Sequence, residues 1–204
     1  MQRIMGAFTF KREVYAEVKA DTSFTPTAWG IVVGVQLLNQ VAGYLAATAI
    51  ATATISAFGG LGELGAVGAV AGGSLVGALV STVIGVAAFA VGVYVVMFVA
   101  KAMFQSTVSF DQLVRTMGLA SVWGLIGFLI ILAAISPLFL CLVGIVGLAG
   151  AILSAISSAI AVKEAVGLDW TQTIITIVIA WVAIFIVTAI LGSLVAGFAF
   201  MGAL

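Results

Sequence analysis

The groups able to do chemistry are few: beyond residue 21 the chain has seven charged residues, and five of them lie in two short polar stretches set among long apolar runs. The first is QSTVSFDQLVRTMG, residues 105–118. Ser109 followed by Gln112 fits a helix start in which the cap hydroxyl and the third side chain each bind a free backbone N–H. Asp111 then falls in the first turn, where the helix dipole favours a carboxylate. Asp111 and Arg115 are one turn apart, so they share a face and can pair. Exposed, such a pair contributes only ~0.3–0.5 kcal/mol. The second stretch is AVKEAVGLDWTQTI, residues 161–174, with Lys163, Glu164 and Asp169. Asp169 with Gln172 repeats the cap pattern, and Trp170 suits a membrane–water interface.

Acid–base catalysis needs a poised side chain near a nucleophile or metal. The chain has no histidine, and its acids are scattered. Asp111 and Glu164 could meet on one face, but no metal motif accompanies them. The one cysteine, Cys141, lies in an apolar run. An internal disulfide, a Cys/His zinc site and histidine-ligated haem are therefore excluded. No catalytic residue, metal or cofactor is expected.

The elements that position these groups follow from composition. Of 204 residues 64% are hydrophobic and 7% charged, against about a quarter charged in soluble domains. No soluble fold hides that much apolar surface, so the bilayer is the solvent and a partner. Zero net charge implies no nucleic-acid partner.

Residues 1–24 are expected to be a cytoplasmic amphipathic segment, and 25–204 a membrane domain. Arg3, Lys11, Arg12 and Lys19 are four of the seven basic residues. Charge continues to Asp21, unlike a signal peptide, so the segment is expected to be kept. On one continuous helical wheel Ile4, Phe8, Tyr15 and Val18 cluster, with Lys11, Arg12 and Lys19 beside them and Glu13 and Glu17 opposite. That arrangement suits a helix at headgroup level with snorkelling basic stems. The other reading is a terminus packed on a partner, or frayed.

A crossing needs about 20 apolar residues. Spacing of charge and turn residues predicts five spans, near 26–56, 66–101, 110–135, 138–162 and 171–199. Thr25-Pro26 opens the first, and Gly59 to Gly65, with Glu63, make an outer turn. Ser136-Pro137 separates spans three and four. In span one Gln36, Asn39, Gln40 and Tyr44 form a polar stripe near mid-bilayer. Such groups usually bond between helices, at about 0.6 kcal/mol each; contact with a solute is the alternative. Gly68/Gly72 and Gly73/Gly77 have the four-residue spacing that lets helices approach closely. With five spans every Lys and Arg falls on one side, which predicts a cytoplasmic N-terminus and an outside C-terminus in the cell membrane.

Three stretches together resemble the Yip family, named for interaction with Ypt/Rab GTPases, and most closely its prokaryotic branch. They are FTFKREVYAEVKADTSFTPTAWG at 8–30, VSFDQLVRTMGLA at 108–120 and AVKEAVGLDWTQTI at 161–174. The matching positions are Phe110, Asp111, Leu113, Arg115 and Gly118, then Glu164 and Ala165. The resemblance implies an all-α integral membrane protein of five transmembrane helices with no known catalytic residue. Eukaryotic members are tied to vesicle traffic. The chain as read is expected to do without the long soluble N-terminal region of many such members.

The function these features favour is that of a non-enzymatic scaffold or accessory subunit, bound to other membrane subunits or to its own copies. Phe110, Asp111, Leu113, Arg115, Lys163, Glu164 and Asp169 form the candidate docking set. A small neutral-solute transporter or channel using the Gln36 stripe is the alternative. Intramembrane charge and broken helices, common in transport paths, are absent from the pattern.

Overall fold

The computed structural model describes residues 2–58, 74–136 and 138–201. The expected outer turn at Gly59 to Gly65 and the packing glycines Gly68, Gly72 and Gly73 lie outside the described residues. The described residues form helices and no strand. In chain order they are α1 (Gln2–Phe8), α2 (Arg12–Ala20), α3 (Thr25–Phe58), α4 (Leu75–Phe104) and α5 (Phe110–Ala120). A 3-10 segment (Ser121–Ile131) follows, then α6 (Leu132–Ile135), α7 (Phe139–Val166) and α8 (Trp170–Met201).

Local chemistry sets the ends. Ser74 caps α4 by accepting from the Gly77 N–H at 2.8 Å. Gln105, at φ 53, closes α4 in the left-handed region. Ser109 and Gln112 form the reciprocal box that starts α5. Gly167 ends α7 at φ 78, a conformation open to glycine, and its N–H binds the Lys163 carbonyl at 2.8 Å. Asp169 then receives the Gln172 N–H at 2.8 Å and starts α8. Ser136 is extended, as the residue before a proline must be.

Among the described residues, four stretches are long and apolar enough to cross a membrane: Thr22–Thr52, Leu75–Phe104, Phe110–Ile135 and Phe139–Val166. Trp170–Ile186 is a shorter apolar stretch within α8, a helix of 32 residues. The outer faces of α7 and α8 leave Ile145, Leu148, Val178 and Phe185 exposed, as lipid-facing positions do.

The short α5 lies at the centre, touching α2, α3, α4 and α7. Seven of its residues are buried, from Leu113 to Ala120. α3 packs on the 3-10 segment and on α4, while α4 packs on α8. Glycines permit the closest approaches. A Cβ on Gly118 would lie 2.9 Å from the Ala28 Cβ and 3.1 Å from its carbonyl oxygen.

Two features differ from the sequence expectation. The N-terminal segment is two helices, broken where Phe10 takes φ 54. Gly6 lets α2 fold back on α1, because a Cβ there would sit 2.5 Å from Val14 Cγ2. The third crossing stretch changes from α to 3-10 winding over 11 residues, longer than such runs usually extend. In 3-10 winding residues three apart align. Gly124 and Gly127 therefore present one smooth line to Val35 and Asn39 of α3.

Candidate functional site

The polar end of the bundle is knit from three segments far apart in sequence. The Ser106 hydroxyl donates to the Val166 carbonyl at 3.4 Å, joining the loop before α5 to the end of α7. Lys19 of α2 donates to the Glu164 carbonyl at 3.3 Å. Val108 and Leu168 are buried beneath the junction.

The candidate docking residues divide by exposure. Asp111 and Asp169 are exposed, while Phe110, Lys163 and Glu164 are half-buried. Leu113 is fully buried and Arg115 is 5% exposed. Arg115 does not pair with the Asp111 carboxylate. Its Nε donates to the Asp111 backbone carbonyl at 3.1 Å, and its Nη1 is buried without a hydrogen-bond partner. The four-residue spacing put both residues on one face, but packing by α2, α3, α4 and α7 draws the guanidinium inward.

The N-terminal helices complete this end. Ala7, Tyr15 and Val18 are fully buried in the core shared with α4, α5 and α7. Their apolar face thus packs on the bundle. The Tyr15 hydroxyl lies 2.7 Å from the Ser157 hydroxyl in a buried bond, and burial pushes the phenol up from its usual value, opposed by that bond. Phe10 stacks on Trp123 with centroids 5.0 Å apart, Phe8 meets the same ring edge-on, and the Trp123 indole donates to the Ala7 carbonyl at 3.3 Å. The apolar stripe through Tyr15 was visible in the sequence. Its partners Trp123 and Ser157, more than a hundred residues away, carried no local signal.

Arg3 reaches back to α2 and its C-terminal cap, pairing with Glu17 and Asp21 at 2.6 Å each. Hydrogen bonds from the Ser23 side chain and then from Arg3 lower the Asp21 carboxyl to about 2. The open cleft beside these helices, about 1170 Å³, is lined by Arg3, Lys11 and Glu17 among others; its arginine is already neutralised.

A second aromatic junction lies where α7 passes to α8. The Arg12 guanidinium carbon is 5.6 Å from the Trp170 ring centroid, and the Lys163 Nζ is 5.4 Å from it. Below, a cavity of about 210 Å³ lies among α4, α5, α7 and α8, with Phe89, Gly92, Ser121, Ser154, Ser158 and Trp181 in its wall.

Within α3 the polar stripe splits. Asn39 Nδ2 donates to the Gly124 carbonyl at 3.0 Å, and its Oδ1 is buried without a partner. Gln36 lies against Gly85 of α4, where a Cβ would come within 2.9 Å of its Cδ. Gln40 and Tyr44 are half-buried. Gly77 sits in the first turn of α4, half-buried, with its N–H on Ser74. No group of three or more metal-ligating side chains occurs among the described residues.

The family model described as the Yip1 domain matches residues 5–192. No curated protein and no solved structure matches the chain. The match runs from α1 into α8 and includes both polar stretches, and the chain belongs to the Yip1 domain family.

Proposed function

We propose that this Yip1-domain membrane protein is a non-enzymatic scaffold or accessory subunit whose polar end docks a partner membrane subunit or a second copy. The observation that carries the reading is the joining of the two polar loops through Ser106 and Val166. It sets Phe110 and Asp111 on the same end of the bundle as Glu164 and Asp169. Leu113 and Arg115 support that surface from beneath, since both are buried.

In this reading the chain crosses the cell membrane five times, with α8 as the fifth span and the polar end in the cytoplasm. Support comes from the 32-residue length of α8 and from the placement of Lys101, Arg115 and Lys163 toward helix ends near the loops. The stripe on α3 serves helix packing. The Asn39 bond to the 3-10 backbone supports that over solute contact.

The test is co-purification from native membranes in a mild detergent, with Phe110→Ala and Asp111→Lys variants. A stoichiometric partner should be recovered with the wild type. Recovery should fall by about tenfold with the paired variants, a loss typical of hot-spot contacts, while the melting temperature holds. Undiminished recovery overturns the docking surface. A solute flux in liposomes that is abolished by Gln36→Leu with Gln40→Leu would instead establish transport.

A further inference from the structure

We infer that the junction of α2, α7 and α8 is a binding site for one anionic glycerophospholipid. Its phosphate lies by Arg12 and Lys163, beside Trp170, and one acyl chain enters the cavity below. The inference does not rest on the docking reading.

Two cations from separate elements converge on one indole, Arg12 at 5.6 Å and Lys163 at 5.4 Å from its centroid. Lys19 is engaged nearby, on the carbonyl of Glu164. Like charges brought together repel unless an anion joins them. Among the described residues the ion pairs are those of Arg3 with Glu17 and Asp21, so neither Arg12 nor Lys163 has a carboxylate partner. The acids next to them in sequence, Glu13 and Glu164, form no ion pair with either, and Asp169, beside Trp170, uses its carboxylate to hold the Gln172 N–H at 2.8 Å. The two cations over the indole therefore have no ion-paired counter-charge.

Its position selects a lipid. Trp170 is the first residue of α8, and Lys163 lies in the last turn of α7. Tryptophan and basic residues at helix ends sit at headgroup level. The same face of α8 continues downward. Ile177 and Trp181 follow Trp170 at two and three turns, and both line the cavity. At 1.5 Å per residue Ile177 is roughly 10 Å below the indole. The volume of about 210 Å³ exceeds the ~150 Å³ that admits benzene in an engineered apolar cavity. A stretch of hydrocarbon chain fits, tethered to a phosphate one headgroup-depth above. Free phosphate would satisfy the cations and leave the cavity unused.

The experiment is native mass spectrometry of the full chain in nonionic detergent, titrated with phosphatidylglycerol or with phosphatidylcholine of the same chains. The wild type should retain one phosphatidylglycerol, bound about tenfold more tightly than phosphatidylcholine, given the attraction of each basic residue to an anionic headgroup. Arg12→Gln with Lys163→Gln should abolish the preference. Arg12→Lys with Lys163→Arg should keep it, as should Lys101→Gln, which removes a cation elsewhere. On the wild type alone, glycerol phosphate without chains should fail to compete. Equal retention of the two lipids, an unchanged preference in the double variant, or displacement by glycerol phosphate overturns the inference. The wild-type comparisons decide it even where a variant does not fold.

Discussion

Arg115 shows how far a side chain's role depends on where its neighbours put it. Paired at the surface with Asp111 it would matter little to folding. Buried, with one nitrogen unpartnered, it is a charge the bundle must hold. Reversing it to Arg115→Glu should destabilise by about 3–5 kcal/mol, the penalty of an uncompensated buried charge. Arg115→Met keeps the length without the charge and should stay within about 1 kcal/mol of wild type. Thermal melts of the two variants in detergent check this, and a Glu variant melting like wild type would refute the burial. Asp21 carries the opposite lesson, since its ordinary surface carboxyl is held down to about 2 by Ser23 and Arg3. A folded value below the unfolded one of about 3.9 makes the ionised form the better folded. The stabilisation is complete above that unfolded value and is lost as pH falls toward 2. An NMR titration of the Asp21 carboxyl should give a midpoint well below the usual range, moving up in Arg3→Gln.

At the scale of elements, the α1–α2 pair is the part whose role changes most. Its amphipathic face could have lain on lipid. Instead Tyr15, Val18 and Ala7 are sealed against the membrane helices, and a buried hydroxyl pair links α2 to α7. Tyr15→Phe should lower stability by about 1 kcal/mol, because it removes one buried bond and leaves Ser157 short of a partner. Chemical denaturation in detergent would show it, and an unchanged midpoint would mean the bond contributes nothing. The 3-10 segment belongs to the same scale. Its winding aligns Gly124 and Gly127 beneath α3, a use of two glycines that helical spacing of four does not suggest.

For the whole molecule, the proposed five-span topology makes a sharp demand. Single cysteines placed at 101 and 163, in a Cys141→Ser background that removes the exposed native thiol, should resist an impermeant maleimide applied outside intact cells. They should label after permeabilisation. Labelling of either from outside would reverse the orientation or change the number of crossings.

Membrane class, helical fold and family were legible in the chain itself. Each rests on signals read over a few residues or summed over the whole: apolar run length, the Ser109–Gln112 box, the Asp169–Gln172 repeat of it, and the order of the two polar stretches. A cap or a break is decided within about one turn, so local sequence suffices. The burial of Arg115, the fold-back at Phe10, the Tyr15–Ser157 bond and the meeting of Arg12 with Lys163 over Trp170 were decided only by tertiary structure. Each joins or buries groups through elements distant in the chain or packed from several sides. Hydropathy and periodicity say which face of a helix is apolar, but not which helix, or which lipid, that face will meet.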